Sequence, residues 1–326
     1  MKRIVILGGG GFIGSAVAEK LAARGDTFII PTRVLARANH LALLPTAEIR
    51  VANIRDGATL RRLLAGADAV VNLVGILHGE PGSGFDGAHV DLPRDVAKAC
   101  AELRIPVLVH MSALNADVNG PSEYLRSRGR GEAAVQEVLG ALAGTKTRLA
   151  ILRPSVVFGR RDNFLNMLAG LVRKFPVIPL GSSGAQFQPV HVEDVADAIV
   201  QCIDHPELGR APLPLVGPKV YTMRELVAFV IRTLGVTRIV VPLPHALAMV
   251  QAMAFEFPPG KWLGAALGVA LTRDNVRSMS LPNVSTASLP AGFRWQPAAL
   301  EPIAAEYLCL HSHRTRLQDF RERAGR

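Results

Sequence analysis

Short apolar runs alternate with helical stretches through the first half of the chain. Arg3–Leu7, Thr27–Pro31, Glu48–Asn53, Ala69–Leu73, Val107–Met111 and Arg148–Leu152 read as strands. They are near-continuous apolar runs, the pattern of strands buried on both faces of a parallel sheet. The spacing therefore predicts an α/β fold, a doubly wound parallel sheet. After Pro154 the alternation loosens and prolines accumulate (Pro176, Pro179, Pro189, Pro206, Pro212, Pro214, Pro218), which predicts a smaller mixed α+β C-terminal lobe. Gln188-Pro189-Val190-His191 and the helix from Glu193 are expected to return to the sheet. The predicted division is 1–155 for the first domain, with a returning segment near 186–204, and 156–326 for the smaller lobe with its basic tail.

The segment directly after the first strand is Leu7-Gly8-Gly9-Gly10-Gly11-Phe12-Ile13-Gly14, and it opens a helix that runs to about Arg24. In this context Gly8 permits a tight turn, Gly11 lets backbone approach a pyrophosphate, and Gly14 lets helix and strand pack closely. The free N–H groups of the helix start, including Phe12 and Ile13, face the phosphates. The reading is a Rossmann domain that binds a nicotinamide dinucleotide. The second strand ends Ile30-Pro31-Thr32-Arg33, with Arg37 one helical turn later and no carboxylate for an adenosine ribose 2′-OH. Thr32 can donate a hydrogen bond, and Arg33 can pair with a 2′-phosphate. NADP(H) is therefore favoured over NAD(H).

These residues and those that follow resemble the extended, atypical short-chain dehydrogenase/reductases of the NAD-dependent epimerase/dehydratase superfamily. The resemblance covers nearly the whole chain. Leu73, Val74 and Gly75, after Asn72, match the loop that lines the adenine-ribose side of the cofactor. Asn53, with Ile54 beside it, stands where the family has an aspartate against adenine. Ser112 and Tyr124 match the catalytic serine and tyrosine, while Pro154 and Ser155 lie in a loop resembling the one beside the nicotinamide. The segment Val190-His191-Val192-Glu193-Asp194-Val195-Ala196 resembles a later family segment.

One departure bears on activity. The family motif Tyr-x-x-x-Lys here reads Tyr124-Leu125-Arg126-Ser127-Arg128. In active members the lysine binds the nicotinamide ribose and lowers the tyrosine pKa. Arg128 keeps the charge, but its planar fork is no replacement for a compact ammonium. Arg126 and Arg130 supply no lysine either. Asn72–Leu77, His110–Ala116, Tyr124–Ser127 and Leu271–Val276 resemble most closely the branch containing the NADPH-binding accessory subunit of respiratory complex I and its bacterial relatives. That resemblance implies tight dinucleotide binding, weak or no turnover and a structural or redox-sensing role. The alternative is an active NAD(P)-dependent reductase, epimerase or dehydratase acting on a quinone-related or nucleotide-sugar substrate. Tyr124 would then be the acid/base, Ser112 would polarise a carbonyl, and Arg128 would replace the lysine.

Composition narrows the partners. The chain has 326 residues and a formal net charge of +10, which favours a polyanionic ligand or surface. With three tyrosines, two tryptophans and no nucleic-acid motif, nucleic acid is disfavoured. Cys100, Cys202 and Cys309 share no ligand spacing, and His78, His89 and His110 suggest no metal site. Met249 and Met253, at helical spacing, read as core residues. The N-terminal apolar run is cut short by glycines from Gly8 onward, so it reads as a strand and not as a signal core. A cytoplasmic protein is expected. Leu243–Leu271 is unusually apolar and carries Lys261-Trp262, and the tail holds Arg314, Arg316, Arg321, Arg323 and Arg326. These predict peripheral contact with an anionic membrane surface on the inner face of the cytoplasmic membrane, or with a respiratory-chain or quinone-pathway protein.

Overall fold

The computed structural model describes residues 1–77, 84–141, 146–256 and 272–309. The strands are β1 (Arg3–Leu7), β2 (Thr27–Thr32), β3 (Ala47–Val51), β4 (Ala69–Asn72), β5 (Val107–Met111) and β6 (Arg148–Pro154), then β7 (Val157–Phe158), β8 (Val177–Gly181), β9 (Gln186–Phe187), β10 (Val190–His191), β11 (Leu213–Leu215), β12 (Tyr221–Thr222) and β13 (Ile239–Leu243). The helices are α1 (Phe12–Ala23), α2 (Gly57–Leu64), α3 (Leu92–Glu102), α4 (Glu123–Ala141), α5 (Phe164–Lys174), α6 (Val192–Asp204), α7 (Met223–Leu234), α8 (His245–Glu256), α9 (Arg273–Ser278) and α10 (Leu300–Leu308).

Two compact units emerge, each drawn from three stretches of chain. The first comprises Met1–Pro154, Val192–Leu215 and Thr286–Gln296. Its seven strands pair in parallel in the order β11-β6-β5-β4-β1-β2-β3, a doubly wound Rossmann sheet. The strand order reverses between β1 and β4, so the loops after those two strands face the crevice where such sheets bind ligands. Ile4–Leu7 and Val107–Met111 are buried throughout, because helices cover both sheet faces. One face packs Val5, Leu7, Val70 and Leu108 against Leu60, Leu64, Val96, Cys100 and Val135. On the other, α6 lies on α1, with Lys20 Nζ 2.9 Å from Asp197 and 3.2 Å from Glu193. Asp204 at the end of α6 receives Lys2 Nζ at 2.8 Å and both arms of Arg24, at 2.8 and 3.0 Å.

The second unit comprises Ser155–His191, Val216–Ser285 and Pro297–Arg326. Its three two-stranded sheets surround a core of Phe158, Leu165, Leu168, Leu226, Val230 and Leu300. Thr222 caps α7 and Glu225 closes the reciprocal bond, while Gly235 ends that helix at φ 65°. Met249 packs on a small cluster of Ala248, Ala252 and Val276. Met253 differs from the expected core placement: it is 43% exposed, because it shares the outer stripe of α8 with Leu247 and Val250. Among the described residues no helix is long and apolar enough to cross a membrane. Lys261, Trp262 and the tail arginines lie outside the described residues, as does His78.

Candidate functional site

The glycine loop is shaped by contacts that admit no side chain. Gly8 turns with φ +82°, and a Cβ there would lie 3.1–3.2 Å from the backbone of Leu73 and Val74. A Cβ on Gly14 would fall 2.5–2.6 Å from Gly9 Cα and Gly8 O, all backbone atoms that cannot step aside. Gly11 N–H bonds Gly8 O at 3.0 Å and Gly11 then precedes α1, whose first turn carries no acid. The loop thus presents the N-terminus of a twelve-residue helix, a positive dipole end with free N–H groups. The residues present fit a pyrophosphate held by backbone alone.

Beside this cradle, Gly10 approaches the backbone of Arg37, since a Cβ on it would sit 3.0 Å from Arg37 O. The turn after β2 therefore lies against the glycine loop, with Arg33 and Arg37 both exposed. Thr32 differs from the sequence expectation. Its hydroxyl donates to Val34 O at 2.9 Å and accepts from Val34 N–H at 3.3 Å, so it shapes the turn that presents Arg33. Asn53 lies two residues beyond β3, and its Oδ1 accepts Arg55 N–H at 3.1 Å, while Ile54 packs on the core.

At the other end of the crevice, α4 carries Tyr124 and Arg128. Arg128 is only 8% exposed, and Nη1 donates to Met111 O at the end of β5 at 3.1 Å. Its guanidinium lies against Gly75, where any Cβ would overlap it, and its Cζ sits 5.4 Å over the Tyr124 ring. The cation is thus held on the ring face and a main-chain carbonyl. Nε of Arg128 and Oγ of Ser112 are buried with no hydrogen-bond partner among the described residues. Two such orphans mark a polar site incompletely satisfied by protein. Buried Glu132 receives Arg153 in bidentate fashion, fixing α4 to β6.

Two histidines complete this end, and the sequence did not show their contacts, because their partners are 13 to 38 residues away. His89 Nε2 accepts Ile76 N–H at 3.1 Å, and Nδ1 meets Ser127 Oγ at 2.8 Å. His110 Nδ1 meets Asn72 Nδ2 at 3.3 Å, and Asn72 Oδ1 accepts Val74 N–H. Burial, then the Arg128 charge and the neighbouring His110, push His89 down to about 3. Burial and Arg128 do the same to His110, also to about 3. Both rings are neutral at pH 7.

Gly8, Gly11, Phe12, Ile13, Gly14, Leu73, Val74, Gly75, Ser112, Tyr124 and Arg128 thus share the first unit, at or beside the carboxyl ends of β1, β4 and β5. Pro154 ends β6 in the same unit. Ser155 belongs to the second unit, where its hydroxyl donates to Asn283 and accepts from Gln188 N–H. Among the described residues, no group of three or more histidine, cysteine or acidic side chains could hold a metal ion.

A strand order of 3-2-1-4-5-6 with a side-chain-free glycine cradle at its reversal defines a dinucleotide-binding short-chain dehydrogenase/reductase fold. The chain belongs to the NAD-dependent epimerase/dehydratase family, whose pattern it matches over residues 4–216. It is 30% identical to mouse (Mus musculus) mitochondrial NADH dehydrogenase [ubiquinone] 1 alpha subcomplex subunit 9 over 319 residues, 94% of this chain and 79% of that protein. It is also 27% identical to the ceramide reductase of Caulobacter vibrioides, covering 74% of this chain and 73% of that one. A UDP-glucuronic acid 4-epimerase from Bacillus cereus, solved with NAD, superposes with a TM-score of 0.64 at 15% identity over 74% of this chain and 86% of that one, a likeness of fold.

Proposed function

We propose that this protein holds NADP(H) with weak or no turnover and serves as a structural or redox-sensing partner of a respiratory NADH dehydrogenase. The observation that carries the reading is Arg128. Its buried guanidinium is committed to Met111 O and to the face of the Tyr124 ring, so it does not reproduce a compact ammonium beside the phenol hydroxyl. The backbone of Gly8, Gly11, Phe12, Ile13 and Gly14 would hold the pyrophosphate, Arg33 and Arg37 the 2′-phosphate, and Leu73–Gly75 the adenine-ribose side. When bound, a nicotinamide dinucleotide supplies a two-electron hydride couple. The similarity to subunit 9 supports the respiratory assignment. The exposed apolar stripe of Leu247, Val250 and Met253 supports peripheral contact with a membrane or a protein of the respiratory chain or quinone pathway.

The buried, unpartnered Ser112 hydroxyl and the similarity to a reductase favour one alternative, an active NAD(P)-dependent reductase that uses Ser112 and Tyr124 with Arg128 in the lysine's place. Purified protein decides between them. The primary reading expects copurified or tightly bound NADPH that is not consumed when quinones, nucleotide sugars or lipid ketones are added. It also expects Arg128→Lys to raise consumption by about 10²–10⁴-fold if a substrate is present. Brisk wild-type oxidation of NADPH, abolished by Tyr124→Phe, would replace it with the reductase.

A further inference from the structure

His89 sits where three elements meet, and both of its ring nitrogens have a partner. It is 1% exposed and lies on the turn of wide helix Gly87–Asp91 that precedes α3. Nε2 accepts Ile76 N–H from the loop after β4. A ring nitrogen that accepts from a backbone N–H carries no proton, so the neutral ring bears its proton on Nδ1. Nδ1–H then donates to Ser127 Oγ, whose own proton goes to Tyr124 O at 2.8 Å. The directions run without conflict from Ile76 through His89 and Ser127 to the first turn of α4. The ring is stacked on Phe85 (centroids 5.4 Å, 20°) and meets the Tyr124 ring edge-on (5.7 Å, 81°), while Phe85 also meets Tyr124 at 6.0 Å. On the backbone side, Gly131 of α4 lies so close to His89 O that a Cβ would overlap it.

We infer that His89 is a positioning residue: as the Nδ1–H tautomer it ties the loop Val74-Gly75-Ile76 to the ring and backbone of Tyr124, so that the dinucleotide-lining loop and the phenol move as one body. The charged and titratable groups facing it are Arg128 and Tyr124 on α4 and His110 on β5. Its lack of charge follows from this setting. A second ring proton would aim a donor at Ile76 N–H and set a cation beside Arg128. The effect on the dinucleotide rests on the function proposed above; the tautomer and the link to Tyr124 do not.

The experiment has two arms. In ¹⁵N-histidine spectra of the wild-type chain, assigned with His89→Gln, His89 should show a protonated Nδ1 and a bare Nε2, unchanged from pH 8 to pH 5. In ¹³C-tyrosine spectra, which hold only three tyrosines, Ser127→Ala should shift the Tyr124 resonance. His89→Gln, whose amide can accept from Ile76 and donate to Ser127, should keep NADPH affinity within about twofold. His89→Leu, with a native melting profile, should lose about tenfold, equivalent to ~1.4 kcal/mol. An Nε2–H tautomer, a His89 that titrates near 6.5, or a folded His89→Leu that binds NADPH like wild type would overturn the inference. If wild type binds no dinucleotide, the proposed function fails while the spectra still decide the role of His89.

Discussion

Arg33 stands one residue past β2 on a turn closed by the Thr32 hydroxyl, and no acid follows β2 before Glu48 on β3. A guanidinium pairing with a 2′-phosphate makes a charge-assisted bond, so Arg33→Ala should weaken NADPH binding by about 1.5–3 kcal/mol and leave NADH nearly unchanged. Titration of both cofactors against wild type and variant tests this, and equal wild-type affinities would end the NADP(H) assignment. The position of Arg33, exposed one residue past the end of a strand, was legible in the sequence. The role of Thr32 was less so: its side chain was expected to face a ligand and instead bonds Val34, a local choice typical of threonine in turns. His110 fell within a stretch carrying the family resemblance, but the contacts of His89 and His110 were not legible, since their hydrogen bonds join residues brought together only by the sheet and α4.

At the scale of elements, periodicity did well where strands were long and apolar. The six strands expected from β1 to β6 appear within two residues at each end. The seventh sheet strand, Leu213-Pro214-Leu215, escaped notice because three residues with a central proline carry no strand pattern. It is an edge strand, where a missing N–H is tolerated. The helix α4 shows how a glycine's meaning depends on its side of the helix. Gly131 faces His89 O with no room for a methyl group, whereas Gly140 near the far end has nothing among the described residues within 4 Å. Gly131→Ala should therefore destabilise the protein by about 1–3 kcal/mol, while Gly140→Ala should stabilise it by about 0.5–1 kcal/mol. Urea unfolding midpoints of the two variants should move in opposite directions, and a shared direction would refute the packing described for α4.

For the whole molecule, the buried histidines tie stability to pH. Both are held near 3 in the folded chain against 6.5 for an unburied imidazole. Between those values the unfolded chain takes up protons that the folded chain refuses. Their contribution is complete above about pH 6.5 and is lost as pH falls toward 3, by at most ~1.4 kcal/mol per pH unit for each ring. Denaturation at pH 7.5, 6 and 5 should show falling stability with a slope that His89→Gln reduces; a flat profile would contradict the burial of neutral rings. The interleaving of the two units has a different kind of consequence. The first unit needs Val192–Leu215, which supplies α6 and β11, and also Thr286–Gln296. The seven-stranded sheet therefore cannot be completed during synthesis until β11, at Leu213–Leu215, has left the ribosome. A gene cassette cut at a single point near position 155 would leave the first unit without α6, whose buried Val195, Ala196 and Ile199 cover one sheet face, and without the edge strand β11, so a fragment ending there is expected not to fold stably.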